Sequence, residues 1–505
     1  MEGGGVVEQK GLKADALGFV SSVVIGVAST APGYSLAAVL TLVVAAVGLQ
    51  APAVLILAFL PMLFIAASYY YMNRADPDCG TTFSRVTRAM GPSWGWMGGW
   101  AIVVADVIVM ANLAQIAGLY GFLLVGWQSA AESTLAVTIV GVIWIVVMTA
   151  ICVYGIELSA RTQVGLLGAE ILTLALFAIV AFVKVAAGDA GPGSVTPELS
   201  WFNPFAISSL DGVRDGLLVA VFIYWGWDST VCVNEETTDS GSTPGRAAVA
   251  STLILVGIYV LVSSAAISFA GPDAIAKDDS GDALGLLGTQ VLGSPLDKLV
   301  IIAVLTSAAA STQTTILPTA RTSLSMARAG AMPAILGRIH QRFQTPDVST
   351  VLMGTLSIVW YVGLTLVSEN ILFDSIAALG LMIAFYYGIT GFACVIYYRR
   401  ELTNSVKNFV FVGVAPLIGG LVLLWLFYAS CVDLSKPENS ESGDSWLGVG
   451  PPLVIGLGFL ALGVVLMLLW RGGHPDFFRR KLETAEPGSL EAPPPVRPAE
   501  TAGIA

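Results

Sequence analysis

Three acidic residues lie within long apolar stretches of the sequence, where a charged side chain is unusual. Asp106 interrupts AIVVADVIVM, Glu170 lies within LLGAEILTLALFAIV, and Asp228 follows the aromatic run FIYWGW. A carboxylate in such a setting requires a partner, water or a bound proton, so these groups are suited to bind a cationic solute or to exchange protons. Structural alternatives exist for two of them. Asp228 would cap free N–H groups of a helix, and Asp106 would make a hydrogen bond between helices.

Two of the apolar stretches also contain residues that interrupt a helix. The segment ASTAPGY, residues 28–34, holds Pro32, which lacks the helical N–H donor, and Gly33, which permits a turn. The segment YWGWDS, residues 224–229, places a glycine between two tryptophans. Unwound backbone exposes N–H and C=O groups, and the N-terminus of a half-helix attracts carboxylates. A tolerated proline kink is the alternative for the first segment.

The composition indicates which elements position these residues. The chain has 505 residues, of which 55% are hydrophobic and only 12% are charged. These values exclude an ordinary soluble enzyme, whose surface needs about twice as many charged residues. Apolar blocks of about 20 residues or more predict an all-α membrane protein. We predict twelve transmembrane helices, at residues 14–48, 51–72, 93–126, 133–154, 163–187, 212–235, 246–269, 296–328, 347–367, 370–399, 408–431 and 447–471.

The charged residues predict the orientation of the chain. Nineteen of the 24 Lys and Arg residues fall in connections on the side of the termini, so both termini are expected in the cytoplasm and the protein in the cell membrane. The first apolar block is interpreted as a retained helix rather than a cleaved signal peptide. Residues 1–13 form a cytoplasmic N-terminal segment, and 472–505, rich in Pro and Glu, are expected to form a disordered cytoplasmic tail.

Several classes of partner are excluded by composition. A net charge of −11 excludes nucleic acid, because no basic face exists to neutralise phosphates. The five cysteines form no CxxC pair and the two histidines lie far from them, so no metal site is predicted. The expected partners are a small solute and the lipid bilayer.

The two interruptions fall at matching places in two sets of five spans. One set covers residues 14–187 and the other 212–399. An odd number of crossings inverts the second set relative to the first, and paired broken helices in inverted repeats indicate the substrate site of a transporter. We therefore predict a five-plus-five inverted-repeat transport core over 14–400 with helices 1 and 6 broken. Two peripheral helices follow within 401–471.

Three motifs resemble the amino acid–polyamine–organocation family of secondary transporters. They are RTSLSMARAGAMP at 321–333, FIYWGWD at 222–228 with a later Glu-Glu pair, and PDCGTTF at 77–83. The resemblance implies a leucine-transporter-type fold, alternating access, and an amino acid or amine as substrate. The first interruption departs from the family's usual Gly-Ser-Gly or Gly-Thr-Gly. Since Pro32 removes one donor for an α-carboxylate, a polyamine or another organic amine remains the alternative substrate.

The predicted substrate site combines both interruptions with the acid of the third span. Its residues are Ser29, Thr30, Ala31, Gly33, Asp106, Phe222, Tyr224, Trp225, Gly226 and Asp228.

Within this site, Phe222 corresponds to the family's gating aromatic residue. Glu170 lines up with a position where some proton-coupled members carry a lysine, and we predict that it is the proton-coupling group. Hydroxyl side chains of the eighth span, such as Ser307 and Ser311, offer oxygen ligands for Na⁺, but close helix packing also explains them. Protons are therefore preferred over sodium as the coupling ion, and no cofactor is expected.

The predicted function is that of a permease that imports an amino acid across the cytoplasmic membrane by alternating access, in symport with protons. Exchange of amino acids or amines, and an ion transporter or channel on the same fold, are the alternatives. An enzyme is disfavoured because no predicted span contains a histidine, and no nucleophile and base or metal cluster stands out inside the membrane.

Overall fold

The computed structural model describes residues 10–207, 209–277, 283–486 and 488–490, and these residues are organised as helices and connecting loops. The helices of the first part are α1 Phe19–Ser29, α2 Pro32–Val47, α3 Ala51–Ala75, α4 Thr82–Met90, α5 Pro92–Val125, α6 Gln128–Ala131, α7 Thr134–Tyr154 and α8 Ile156–Ala187.

The second part begins with short helices and continues with long ones. They are α9 Leu210–Ala220, α10 Ser229–Cys232, α11 Thr243–Ala270, α12 Pro272–Ala276, α13 Ala283–Leu292, α14 Lys298–Arg328, α15 Asp347–Val367, α16 Glu369–Tyr397, α17 Val406–Asn408, α18 Ala415–Asp433, α19 Pro451–Gly473 and α20 Pro475–Phe478. A π-helix, Phe409–Val414, joins α17 to α18.

Ten helical stretches in the described part of the chain are long and apolar enough to cross a membrane. The first stretch, Phe19–Ala75, contains two of the predicted spans because α1, α2 and α3 follow one another closely. The predicted span 212–235 does not form one long helix, since it consists of α9, a 3₁₀ turn and the short α10. The all-helical prediction is confirmed, whereas the count of twelve spans and the inverted repeat stay predictions.

The long helices differ in how much of their surface is covered by protein. In the most apolar window of α5, 89% of the residues are buried, and the corresponding fraction is 28% in α7 and in α19. The buried fraction is also high in α14, at 72%, and in α16, at 78%. The bundle therefore has a core of α5, α14 and α16, and its outer helices present apolar side chains of the kind that contact lipid.

Both ends of the described chain pack against one end of the bundle, which we call the terminal face. Near the N-terminus, Leu17 makes backbone hydrogen bonds to Glu236 and Thr238. Near the C-terminus, Phe477 is buried and stacks on Phe83 of α4, with ring centroids 5.6 Å apart. The packing of residues 474–486 differs from the disordered tail expected from 472 onward, because Phe477 supplies an apolar anchor that composition did not reveal. Residues 491–505 lie outside the described part.

Candidate functional site

The first membrane-spanning stretch breaks between α1 and α2. Helix α1 ends at Ser29, and α2 begins at Pro32, whose missing N–H is not needed at the first position of a helix. Between them, Ala31 has a φ of 47°, a left-handed conformation that is unusual for a residue with a side chain. The predicted interruption at 28–34 thus redirects the chain inside a buried part of the protein.

The second break lies between α9 and α10. After Ala220 the chain forms a 3₁₀ turn at Phe222–Tyr224, and Trp225 is extended. Gly226 has a φ of 115°, which favours glycine, and α10 starts at Ser229. The segment predicted to interrupt the sixth span is therefore unwound over several residues.

The two breaks contact each other, although about 200 residues separate them along the chain. The hydroxyl oxygens of Ser29 and Ser229 are 2.7 Å apart and share a hydrogen bond. A Cβ atom on Gly226 would lie 2.7 Å from the carbonyl oxygen of Ser29, closer than such atoms approach in proteins. Ser311 of α14 donates a hydrogen bond of 2.9 Å to the same carbonyl. Gly226 is thus required for the close contact of the two breaks.

Replacing Gly226 by Ala tests this contact. We expect the variant to lose transport and to unfold at a lower temperature, because both the positive φ and the approach of Ser29 disfavour a side chain, at a cost of about 1–3 kcal/mol. The matched control is Gly165→Ala in α8, where a Cβ atom would have no neighbour within 4 Å. Thermal unfolding of both purified variants measures the difference. Equal melting temperatures for G226A and the wild type would contradict the proposed contact.

Glu170 of α8 occupies the N-terminus of α2. Its Oε1 accepts a hydrogen bond of 2.7 Å from the N–H of Gly33, and the N–H of Tyr34 donates to the hydroxyl of Ser307 at 3.2 Å. The second oxygen of Glu170, Oε2, is buried and accepts no hydrogen bond from the described residues. The half-helix N-terminus therefore holds a carboxylate of the protein itself.

This arrangement changes the role expected for the backbone between Ser29 and Gly33. The N–H groups of Thr30 and Ala31 donate to carbonyls of α1, and the N–H of Ser35 donates to Ala31. Together with the bond between Gly33 and Glu170, these contacts satisfy the amides that were expected to be free for a substrate. An α-carboxylate reaches the N–H of Gly33 only if Glu170 moves away.

Asp228 lies in the second break and is enclosed by aromatic side chains. Its Oδ1 accepts a hydrogen bond of 2.8 Å from Tyr387, and Oδ2 accepts one of 3.2 Å from Tyr386, both on α16. The capping alternative is wrong, because Asp228 makes no side-chain hydrogen bond to the N–H groups of α10. Trp227 stacks on Tyr387 with ring centroids 5.2 Å apart, and Tyr69 packs edge-on against both rings.

The other predicted aromatic residues have separate surroundings. The indole N–H of Trp225 donates to the hydroxyl of Tyr386, so Trp225 belongs to the environment of Asp228. Tyr224 points elsewhere, because its hydroxyl donates to the carbonyl of Leu55 on α3. Phe222 is half-buried and contacts Gly380 of α16, where a Cβ atom would come within 2.8 Å of the phenyl ring. Its gating role stays a prediction.

Asp106 links α5 to α14. Its Oδ2 accepts a hydrogen bond of 2.8 Å from Thr319, which is the contact between helices that the structural alternative describes. Asp106 also lies close enough to Asp228 for their charges to interact. The two aspartates therefore place two carboxyl groups in one region beside the second break, and Glu170 places a third at the first break.

A layer of ion pairs joins segments of the chain near the terminal face. Arg321 of α14 donates to Glu236 at 2.8 Å, and both side chains are buried. Lys10 lies 2.7 Å from Asp78 and 2.6 Å from Glu235. The layer connects the N-terminal segment, the loop before α4, the chain after α10 and the end of α14.

Lys10 also fills the centre of an acidic cluster. Asp78, Cys79 and Glu235 have ligand atoms close enough to hold a metal ion, but the ammonium of Lys10 contacts all three side chains. Burial alone would raise the pKa of Asp78, yet the Lys10 ammonium and hydrogen bonds from Ser325 and Gly80 lower it to about 2. The cluster therefore neutralises a cation that belongs to the chain.

Comparison with known proteins gives the family. A family model described as amino acid permease matches residues 15–460. The chain belongs to the amino acid permease family. The family resemblance drawn from the three motifs is confirmed. The apolar helices of this permease are those of a multi-pass membrane protein. Its family is one of transporters and not of enzymes.

The individual relatives of this permease share about a quarter of their aligned residues with it. An uncharacterized transporter of Mycobacterium tuberculosis is 26% identical over 58% of the permease and 63% of the relative, so the match spans less than two thirds of that protein. The branched-chain amino acid permease BcaP of Lactococcus lactis is 24% identical over 74% of the permease and 80% of BcaP. A methylthioribose transporter of Bacillus subtilis is 24% identical over 86% of the permease and 89% of the relative.

Sequence reasoning missed several residues of this site. Tyr386 and Tyr387 were not singled out, although two adjacent tyrosines in an apolar span need hydrogen-bond partners when they are buried. Thr319 and Tyr69 were also missed. Lys10 counts in the sequence only as one of the basic residues on the side of the termini, and nothing in the sequence indicates that it is buried between two carboxylates.

Proposed function

We propose that this permease is a secondary active transporter that imports an amino acid across the cytoplasmic membrane by alternating access, in symport with protons. The observation that carries the proposal is the hydrogen bond between Glu170 and the N–H of Gly33 at the first break. It joins a group that can exchange a proton to the backbone position that suits a substrate carboxylate. Both termini are placed in the cytoplasm because basic residues are concentrated on their side.

The contact suggests how proton and substrate binding are coupled. In its ionised form, Glu170 accepts the hydrogen bond from Gly33 and excludes another carboxylate by charge repulsion. A proton bound at Oε2 removes that charge and weakens the bond to Gly33. The carboxylate of an amino acid then replaces Glu170 at the N–H group, and its ammonium is attracted by Asp228 and Asp106. One proton therefore enters with each substrate molecule.

The hydroxyl groups of α14 favour protons over sodium. Ser311 donates to Ser29, and Thr312 and Thr315 donate to carbonyls one turn earlier in their own helix. These bonds are the ones that small polar residues make when membrane helices pack closely. A dedicated sodium site would instead direct several oxygen atoms towards one point.

A second candidate substrate is an organic amine without a carboxylate. Two observations favour it: the N–H of Gly33 already has a partner, and Asp106 and Asp228 place two carboxyl groups beside the break. A diamine would be held by the carboxylates and by the surrounding aromatic rings without displacing Glu170. The two candidates differ in whether a substrate carboxylate is required.

Uptake into proteoliposomes tests the function and separates the candidates. We expect accumulation of a labelled amino acid under an inward proton gradient, and no accumulation under a sodium gradient alone. An amino acid and its decarboxylated amine form the matched pair of substrates. Uptake of only the amine would favour the second candidate, and a lack of uptake of any amine-containing solute would contradict both.

A further inference from the structure

A cavity of about 250 Å³ opens on the terminal face, away from the two breaks. Its walls come from five parts of the chain: the N-terminal segment, the loop before α4, α4 itself, the end of α14 and the segment that follows α20. Five basic and three acidic residues line it, namely Lys10, Arg88, Arg328, Arg480 and Lys481, and Asp76, Asp78 and Glu483.

The acids of the cavity are all engaged by two of the five basic residues. Lys10 pairs with Asp78, as described above. Arg88 lies 3.1 Å from Asp76 and 3.6 Å from Glu483. Among the described residues that line the cavity, no acid is left to neutralise a further cation.

The other three basic residues have no carboxylate partner within the described part of the chain. Arg328 donates to the carbonyl oxygens of Gly337 and Lys10, and Arg480 donates to that of Ala329. Carbonyl oxygens carry no net charge, so they do not neutralise the positive charges of these side chains. Because three such charges face one cavity and repel each other, an anion placed there interacts favourably with all of them.

The segment that carries Arg480 and Lys481 is held firmly in place. Phe477 is buried against Phe83, the N–H of Glu483 donates to the carbonyl of Arg88 at 2.7 Å, and the N–H of Ala485 donates to Tyr397 at 2.9 Å. The positions of the two basic residues at the cavity thus follow from anchors on both sides of them. This distinguishes them from basic residues that only mark the cytoplasmic side of a membrane protein.

We propose that this cavity binds the phosphate group of an anionic ligand through Arg328, Arg480 and Lys481. Guanidinium groups bind phosphate oxygens in pairs, and an ammonium adds a point charge, so the set suits a phosphate better than a carboxylate. The volume suits one phosphate group rather than a large ligand. A soluble phosphate compound and the headgroup of an anionic phospholipid share this chemistry. A bound phosphate would connect the C-terminal segment to α14.

The test uses the full-length protein and a variant with two charges removed, Arg480→Gln with Lys481→Gln. Inorganic phosphate is titrated in a neutral detergent, with thermal unfolding as the readout, at several salt concentrations. We expect saturable stabilisation of the wild type and at least about tenfold weaker binding to the variant, since two charge-assisted contacts are lost. A second variant, Arg480→Lys with Lys481→Arg, keeps the charges and should retain most of the binding.

The matched control removes two other basic residues, by Arg399→Gln with Arg400→Gln. They follow α16, are exposed and do not line the cavity. This control should bind phosphate like the wild type. Equal losses in both double variants, or unchanged binding in R480Q/K481Q, would overturn the proposal.

Lipid is tested separately in phosphatidylcholine nanodiscs with and without phosphatidylglycerol. Stabilisation by phosphatidylglycerol that R480Q/K481Q loses and R399Q/R400Q keeps would identify a lipid headgroup as the source of the phosphate. If neither inorganic phosphate nor phosphatidylglycerol stabilises the wild type, the proposal is wrong. None of these outcomes depends on which solute the permease transports.

Discussion

Replacing Glu170 by Gln is expected to abolish accumulation driven by a proton gradient and to leave exchange of substrate across the membrane intact. The amide oxygen of Gln can still accept the hydrogen bond from Gly33, so the break between α1 and α2 should keep its geometry. Because Gln cannot ionise, the variant resembles the protonated form at every pH. It can therefore bind substrate but cannot release a proton inside the cell.

Two assays on the same proteoliposomes separate these effects. Uptake under an inward proton gradient should fall to the level of liposomes without protein, and counterflow of labelled substrate at equal pH on both sides should persist. Glu157→Gln is the control, because Glu157 lies on the same helix, is partly exposed and pairs with Lys13. Proton-driven uptake that survives in E170Q would exclude Glu170 as the coupling group. Loss of counterflow as well would indicate a role in binding or folding.

The positions of the two breaks were predictable because they depend on local backbone chemistry. Pro32 lacks a donor, and Gly226 tolerates a φ of 115°, so each residue indicates an interruption without reference to the rest of the chain. The apolar helices were predictable for a similar reason, since their length and composition are properties of continuous segments. The exact ends of α1, α2 and α3 were not, because they depend on short turns.

The partners of the buried acids were not predictable, because each partner lies far away in sequence. Glu170 and Gly33 are 137 residues apart, and Asp228 and Tyr387 are 159 apart. A sequence shows that an intramembrane carboxylate needs a partner, but only the packing of α8 and α16 against the breaks determines which one it finds. For Asp228 the packing removes the capping alternative, and its role in the site stays a prediction.

The ion pairs near the terminal face could not be predicted from the sequence either. The seven-residue spacing of Arg321 and Arg328 places them on one side of a helix, but it does not decide whether they pair with Glu235 or Glu236 or only mark the cytoplasmic side of the membrane. In the structure Arg321 pairs with Glu236, and Lys10, which is 225 residues away from Glu235, pairs with that residue instead. Among the residues that the structure describes, Arg328 has no carboxylate partner, which only the assembled fold reveals.

Replacing Asp228 by Asn is expected to weaken substrate binding more than any other single change in the second break. The ammonium group is common to both candidate substrates, and Asp228 is the carboxylate that the break itself supplies. Removing the charged partner of a buried cation costs about 2 kcal/mol or more, which corresponds to an increase in Kd of at least about 30-fold. Asn keeps the size of the side chain, and its amide oxygen can still accept the hydrogen bond from one of the two tyrosines.

Substrate binding to the purified permease, measured by titration calorimetry, provides the comparison. Asp215→Asn is the control for the loss of one acidic group, since Asp215 is exposed and pairs with Arg214 on α9. Tyr387→Phe removes the 2.8 Å hydrogen bond to Asp228 and leaves the charge in place, so a smaller loss of about tenfold or less is expected. Unchanged affinity in D228N would show that the substrate ammonium is bound elsewhere. Asp106, which retains a hydrogen bond from Thr319 and lies near the same break, would then be the remaining carboxylate to receive it.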